Sequence, residues 1–109
     1  MSLIECVRYN SAAQEASAVV KAAACRLLFL HFYNANAAAR WLQVFDSATL
    51  PADTAIPLLT FPVAIAGTFT LNLAPLGLLM RKGIVVCNSS TGPTKTIGAA
   101  DSLFVVGYR

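Results

Sequence analysis

From Ala18 onward the chain is a series of short apolar runs, rich in β-branched and aromatic residues, each closed by Gly, Pro, Asn, Asp or Ser. Runs of that length and composition, with almost no helical period, predict strands. The clearest is Gly67–Leu73, where Phe69, Leu71 and Leu73 alternate with Thr68, Thr70 and Asn72. A period of two predicts a strand with one buried and one wet face. Cys25–Asn34 differs because both alternating sets are apolar, Leu28, Leu30 and Phe32 against Leu27, Phe29 and Tyr33. That predicts a central strand covered on both faces.

The remaining runs fill out the same architecture. Ala18–Ala24 is a first strand, and Arg40–Asp46 follows Cys25–Asn34 after Asn34-Ala35-Asn36, whose asparagines tolerate left-handed backbone, giving a hairpin with a long loop. Trp41 and Phe45 fall on one side of Arg40–Asp46, Leu42 and Val44 on the other. Ile56–Val63 carries Pro57 and Pro62, which cannot donate to a ladder and so predict an edge strand. Pro75-Leu76-Gly77 is a turn, Gly83–Asn88 a short apolar strand, Ser89–Thr94 a polar loop before Lys95–Gly98, and Leu103–Tyr108 the last strand after the Ala99-Ala100-Asp101 turn. Met1–Ser17 mixes small and polar residues and reads as an arm. Seven to eight antiparallel strands at intervals near ten residues predict an all-β, single-domain β-sandwich over residues 18–109, with the jelly roll as one form it can take, and an N-terminal arm over residues 1–17.

Composition sharpens this. Of 109 residues, 57% are hydrophobic and 12% charged, where ordinary domains carry about 25% charged residues. A domain of this size buries only about two thirds of its unfolded surface, so part of what it exposes must be apolar and must meet either lipid or protein. Nineteen of the hydrophobic residues are alanine, which softens the excess but leaves the charge deficit intact. The longest uncharged stretch, Thr54–Met80, is broken by Pro57, Pro62, Gly67, Pro75 and Gly77, a pattern of strands and turns rather than of a membrane span. Glu5 and Arg8 interrupt the start of the chain before a signal-type apolar run can form. No membrane partner is expected.

Candidate chemistry is sparse. The net charge of +3 comes from basic residues scattered along the chain, only Arg81 and Lys82 being adjacent, so nucleic acid is not an expected partner. Cys6, Cys25 and Cys87 have no metal-ligand spacing, and their odd number in apolar surroundings predicts buried thiols in a reducing compartment. The single histidine, His31, sits in the most apolar strand, without a second histidine or a G-x-S-x-G nucleophile motif to build on. Asp46, Asp53 and Asp101 fall in or beside turns, where capping accounts for them. Gly92-Pro93-Thr94-Lys95-Thr96 lacks the glycine before lysine and the following helix of a phosphate loop. No catalytic group, metal or cofactor is expected. Trp41 beside Arg40 at a hairpin mouth, together with Tyr33 and Phe61, are the candidate interface residues, with a sugar-stacking role for Trp41 and Tyr33 as the alternative.

Several of these segments, Arg40-Trp41-Leu42-Gln43-Val44-Phe45-Asp46, Leu50-Pro51-Ala52-Asp53, Gly67–Leu73, Gly83–Ser90 and Asp101–Val106, resemble a group of small virion proteins of tailed bacteriophages. The resemblance covers roughly residues 18–109 and rests on strand-and-turn patterns. It implies a β-sandwich module made in the bacterial cytoplasm and assembled on the particle. The role it implies is capsid decoration or cement, bound to the major capsid protein and to copies of itself, often as trimers. A tail, neck or baseplate role and a carbohydrate-binding sandwich are the alternatives. The group has no catalytic residues to carry over.

Overall fold

The computed structural model describes residues 6–109, all strand, turn and loop with no helix among the described residues. The strands are β1 (Val7–Asn10), β2 (Ser17–Lys21), β3 (Cys25–Asn34), β4 (Arg40–Phe45), β5 (Leu59–Val63), β6 (Thr68–Asn72), β7 (Leu78–Met80), β8 (Ile84–Ser89) and β9 (Ser102–Tyr108). They form two antiparallel sheets. One has the order β1-β9-β3-β6, with β7 also pairing β3, and the other the order β2-β8-β4-β5. The chain is a single β-sandwich, as its alternating pattern predicts.

The core lies between the sheets. Leu27, Leu30 and Phe32 of β3, Leu42 and Val44 of β4, Ile84 and Val86 of β8, and Phe104 and Val106 of β9 are fully buried there. Phe69, Leu71 and Leu73 pack against them, so β6 turns inward the face its alternation predicts and leaves Thr68, Thr70 and Asn72 exposed. The Phe32 and Phe104 rings meet at 5.4 Å between centroids, and Phe61 of β5 stacks on Phe69 at 4.4 Å across the sandwich.

Four features depart from the sequence reading. Within the expected arm, Val7–Asn10 pairs with β9 as an edge strand and Ser17 begins β2, while residues 1–5 of that arm lie outside the described residues. Leu78–Met80 forms an additional short strand on β3. The Ile56–Val63 strand, at the sheet edge as its prolines require, starts only at Leu59. Finally, β3 is not covered on both faces. Its pairing with β9 runs Leu27↔Tyr108 and then Phe29↔Gly107, so Leu28 is the extra residue of a β-bulge. The bulge reverses the alternation. Leu27 before it and Leu30 and Phe32 after it all point inward, which places apolar residues in both alternating sets without requiring two buried faces.

Candidate interaction surface

The two outer faces of the sandwich differ in how they are finished. The outer side of the β2-β8-β4-β5 sheet is roofed by the chain's own loops. Phe45, Val85 and Cys87 form a second small core there with Ala55 of the loop after β4. Fully buried Gln43 sends its amide Nε2 to the carbonyls of Thr91, Gly92 and Thr94 at 3.0–3.1 Å, fastening the loop after β8. Thr60 Oγ1 donates to the same Gly92 carbonyl at 3.1 Å. The two loops are tied to each other by Lys95, only 3% exposed, whose Nζ meets Asp53 Oδ1 at 2.6 Å. Backbone bonds between Thr54 and Lys95 and between Lys95 and Ala55 complete the tie. The ammonium beside Asp53 holds that carboxyl below the usual carboxylate range, and burial pushes the Cys87 thiol up to about 12.

Among the described residues, the outer side of the other sheet has no such roof. With the alternation reset by the bulge, Phe29, His31 and Tyr33 of β3 point outward, all half-buried. Their neighbours on β9 are Gly107, Val105 and Leu103, and on β6 Asn72, Thr70 and Thr68. The result is an aromatic and aliphatic stripe edged by uncharged polar residues. Arg8, opposite Gly107 on β1, is the charged residue at its corner. Gly107 is what lets the Phe29 ring lie flat over β9, because a Cβ there would sit 2.0 Å from Phe29 Cε1. His31 Nδ1 is held 2.8 Å from Thr70 Oγ1, which fixes the imidazole within the stripe.

The four residues expected at an interface are not brought together. Tyr33 lies on the open face. Trp41 lies on the opposite outer face, half-buried, with Gly92 against its six-membered ring. Arg40 is at the start of β4, its Nε buried beside Gly98 and its Nη1 donating to the Ala39 carbonyl at 3.2 Å. Phe61 points between the sheets. Sequence reasoning missed Phe29, Leu103 and Val105 as surface residues because the bulge is invisible to a period of two. The one available signal was Gly107 in the last strand, a residue without a side chain where a ring has to lie.

The described carboxylates are engaged in holding the fold. Glu15 accepts from Tyr9 at 2.5 Å and Ser11 at 2.6 Å; burial and this carboxylate push the Tyr9 hydroxyl up to about 12. Asp46 accepts the backbone N–H groups of Arg81, Lys82 and Gly83, which hold its carboxyl below the usual range, with Lys82 contributing most. Asp101 accepts from Asn36 and Asn88. Among the described residues no group of three or more His, Cys, Asp or Glu side chains converges to hold a metal. A shallow groove of about 390 Å³ runs between Phe45, Pro51, Ala55, Ile56 and Leu58. Its nearest carboxylate, Asp46, is turned to the backbone groups just named.

Compared with protein-family models, with curated proteins and with solved structures, the chain matches none of them. No matched protein therefore supports the resemblance to phage virion proteins that the strand-and-turn motifs suggest.

Proposed function

We propose that this protein is a non-enzymatic structural component of a phage particle, a decoration module that associates with copies of itself and docks on the major capsid lattice. The observation that carries the reading is the contrast between the two outer faces. One is closed by loops whose polar groups are satisfied internally, whereas the other presents Phe29, Tyr33, Leu103 and Val105 half-exposed on a rigid sheet. Such a stripe, depleted of charge at its centre, has the composition of an interface core. The strand orders β1-β9-β3-β6 and β2-β8-β4-β5 support it further. With β7 set aside they are the orders of a jelly roll, an architecture used in viral capsids and also in lectins and cupins, so the fold alone does not decide the role. The sugar-binding alternative is weakened by Trp41 and Tyr33 lying on opposite outer faces, where they cannot stack on one ligand.

On the particle the open face would be covered by the capsid surface, adding contact area that resists pressure from packaged DNA. Mass spectrometry of purified virions and the solution mass of the isolated chain test this. The protein is expected in the particle and above its monomer mass of 11.5 kDa in solution. A monomer at high concentration together with absence from purified virions overturns it.

A further inference from the structure

We infer that two copies of this chain pair edge to edge through β6, joining their β1-β9-β3-β6 sheets across a twofold axis. The inference deepens the self-association proposed above and is independent of where on a particle the protein sits.

The sandwich has five edge strands among the described residues, β1, β6 and β7 on one sheet and β2 and β5 on the other. An edge strand offers unpaired N–H and C=O groups to any other chain, and natural proteins blunt such edges with proline, charge, bulges or brevity. Four of the five are blunted, β7 by being only three residues long. β5 contains Pro62, which has no N–H. β2 has a register irregularity between Val19 and Lys21, with the exposed Lys21 at its end. β1 is four residues long and carries Arg8. β6, with the sequence Thr68-Phe69-Thr70-Leu71-Asn72, has no proline, charge or bulge.

The phase of the ladder shows what this edge offers. Leu73 N–H donates to the Leu28 carbonyl and Asn34 N–H to the Gly67 carbonyl, which sets the phase so that the backbone groups of Phe69 and Leu71 face β3. Those of Thr68, Thr70 and Asn72 therefore face away from the sheet. Antiparallel pairing of β6 with its copy places Thr70 opposite Thr70 and Thr68 opposite Asn72. Two hydrogen bonds in each of those three pairs make a ladder of six. A strand that pairs with itself around a twofold meets its own side chains, and here these are uncharged threonines and asparagines, a favourable cross-strand set. The same register brings half-buried Phe69 beside the partner's Leu71, and Leu71 beside the partner's Phe69, extending the core between the sheets.

Sedimentation and light scattering from micromolar to millimolar concentration, on wild type and three variants, test the pairing. Wild type is expected to be a dimer. Thr70→Pro removes an outward N–H, and Thr68→Lys places a charge on the pairing edge; each is expected to weaken association by roughly tenfold or more, with unchanged circular dichroism. Thr70→Val keeps the backbone donor and is expected to dimerise as wild type does. Should Thr70→Pro fail to fold, Thr68→Lys decides. A wild-type dimer indifferent to both disruptive variants, or a trimer, which a twofold strand pair cannot build, overturns the β6 pairing while leaving self-association standing. A wild-type monomer throughout the range overturns both.

Discussion

Replacing Gly98 by alanine is predicted to be among the most damaging small substitutions in the molecule, and the damage is predicted to depend on one other residue. A Cβ at Gly98 would lie 2.0 Å from Asn88 Oδ1 and 2.9 Å from its Cγ, against the 3.0 Å below which real Cβ contacts essentially never occur. The amide must retreat by at least 1.0 Å. It has nowhere to go cheaply, because Asn88 is fully buried and its Nδ2 is bonded to the Ala99 carbonyl at 2.8 Å and to Ser102 Oγ at 2.7 Å. A shift of that size breaks both bonds and leaves the buried Asn88 Nδ2 and Ser102 Oγ unpaired, at about 1–3 kcal/mol each. Alanine also restricts the unfolded chain, which returns about 0.4–1 kcal/mol. The net expectation is a loss of about 2–4 kcal/mol, a large part of a stability that is ordinarily about 5–15 kcal/mol. Urea denaturation followed by Trp41 fluorescence reads it directly. The decisive comparison uses an Asn88→Ala background. There the tightest remaining of the three closest contacts is the Arg40 side chain, 3.3 Å away, and Gly98→Ala is expected to be close to neutral. An equal cost in both backgrounds would refute the assignment of the clash to Asn88.

Phe32→Ala or Phe104→Ala opens a hole in the fully buried centre of the sandwich and is expected to cost about 3–5 kcal/mol in the same denaturation assay. Native protein treated with Ellman's reagent should show Cys6, which is exposed where its apolar sequence surroundings predict a buried thiol, reacting ahead of Cys25 and Cys87, whose thiols burial pushes up and shields; all three react once the chain is denatured. The Asp46 carboxyl is lower in the folded than in the unfolded chain, so its stabilising effect is complete above the unfolded value of about 3.9 and is lost as pH falls through the folded one. An Asp46→Asn variant should accordingly be less stable than wild type at neutral pH, and the gap should close as the pH is taken below 4; a gap that persists unchanged in acid contradicts the assignment.

Much of the sandwich was legible because its strands obey local rules. Alternation places Phe69 and Leu71 inward and Thr68 and Thr70 outward, and the prolines of Ile56–Val63, of which Pro62 lies within β5, put that strand at an edge. What was not legible depends on partners distant in sequence. Leu28 becomes a bulge only because β9 opposes β3 with one residue fewer, and that single event moved Phe29 and His31 to the outside. Val7–Asn10 becomes a strand only because the last strand offers it an edge. Phe61 looked like an edge aromatic available to a partner, and it is Phe69, on the facing sheet, that covers it. Gln43 carried no signal in sequence, since an amide between apolar neighbours acquires its role only when the loop after β8 folds over it.

The unequal finishing of the two outer faces divides the chain's freedom to change. Residues 47–57 and 90–97 hold one face shut through Asp53, Lys95 and Gln43, so substitutions there are judged first by whether the molecule folds. Phe29, Tyr33, Leu103 and Val105 project from strands whose inner residues supply the core, and their side chains can be exchanged with little effect on that core. The open face can therefore change in sequence while the rest of the chain keeps the scaffold constant.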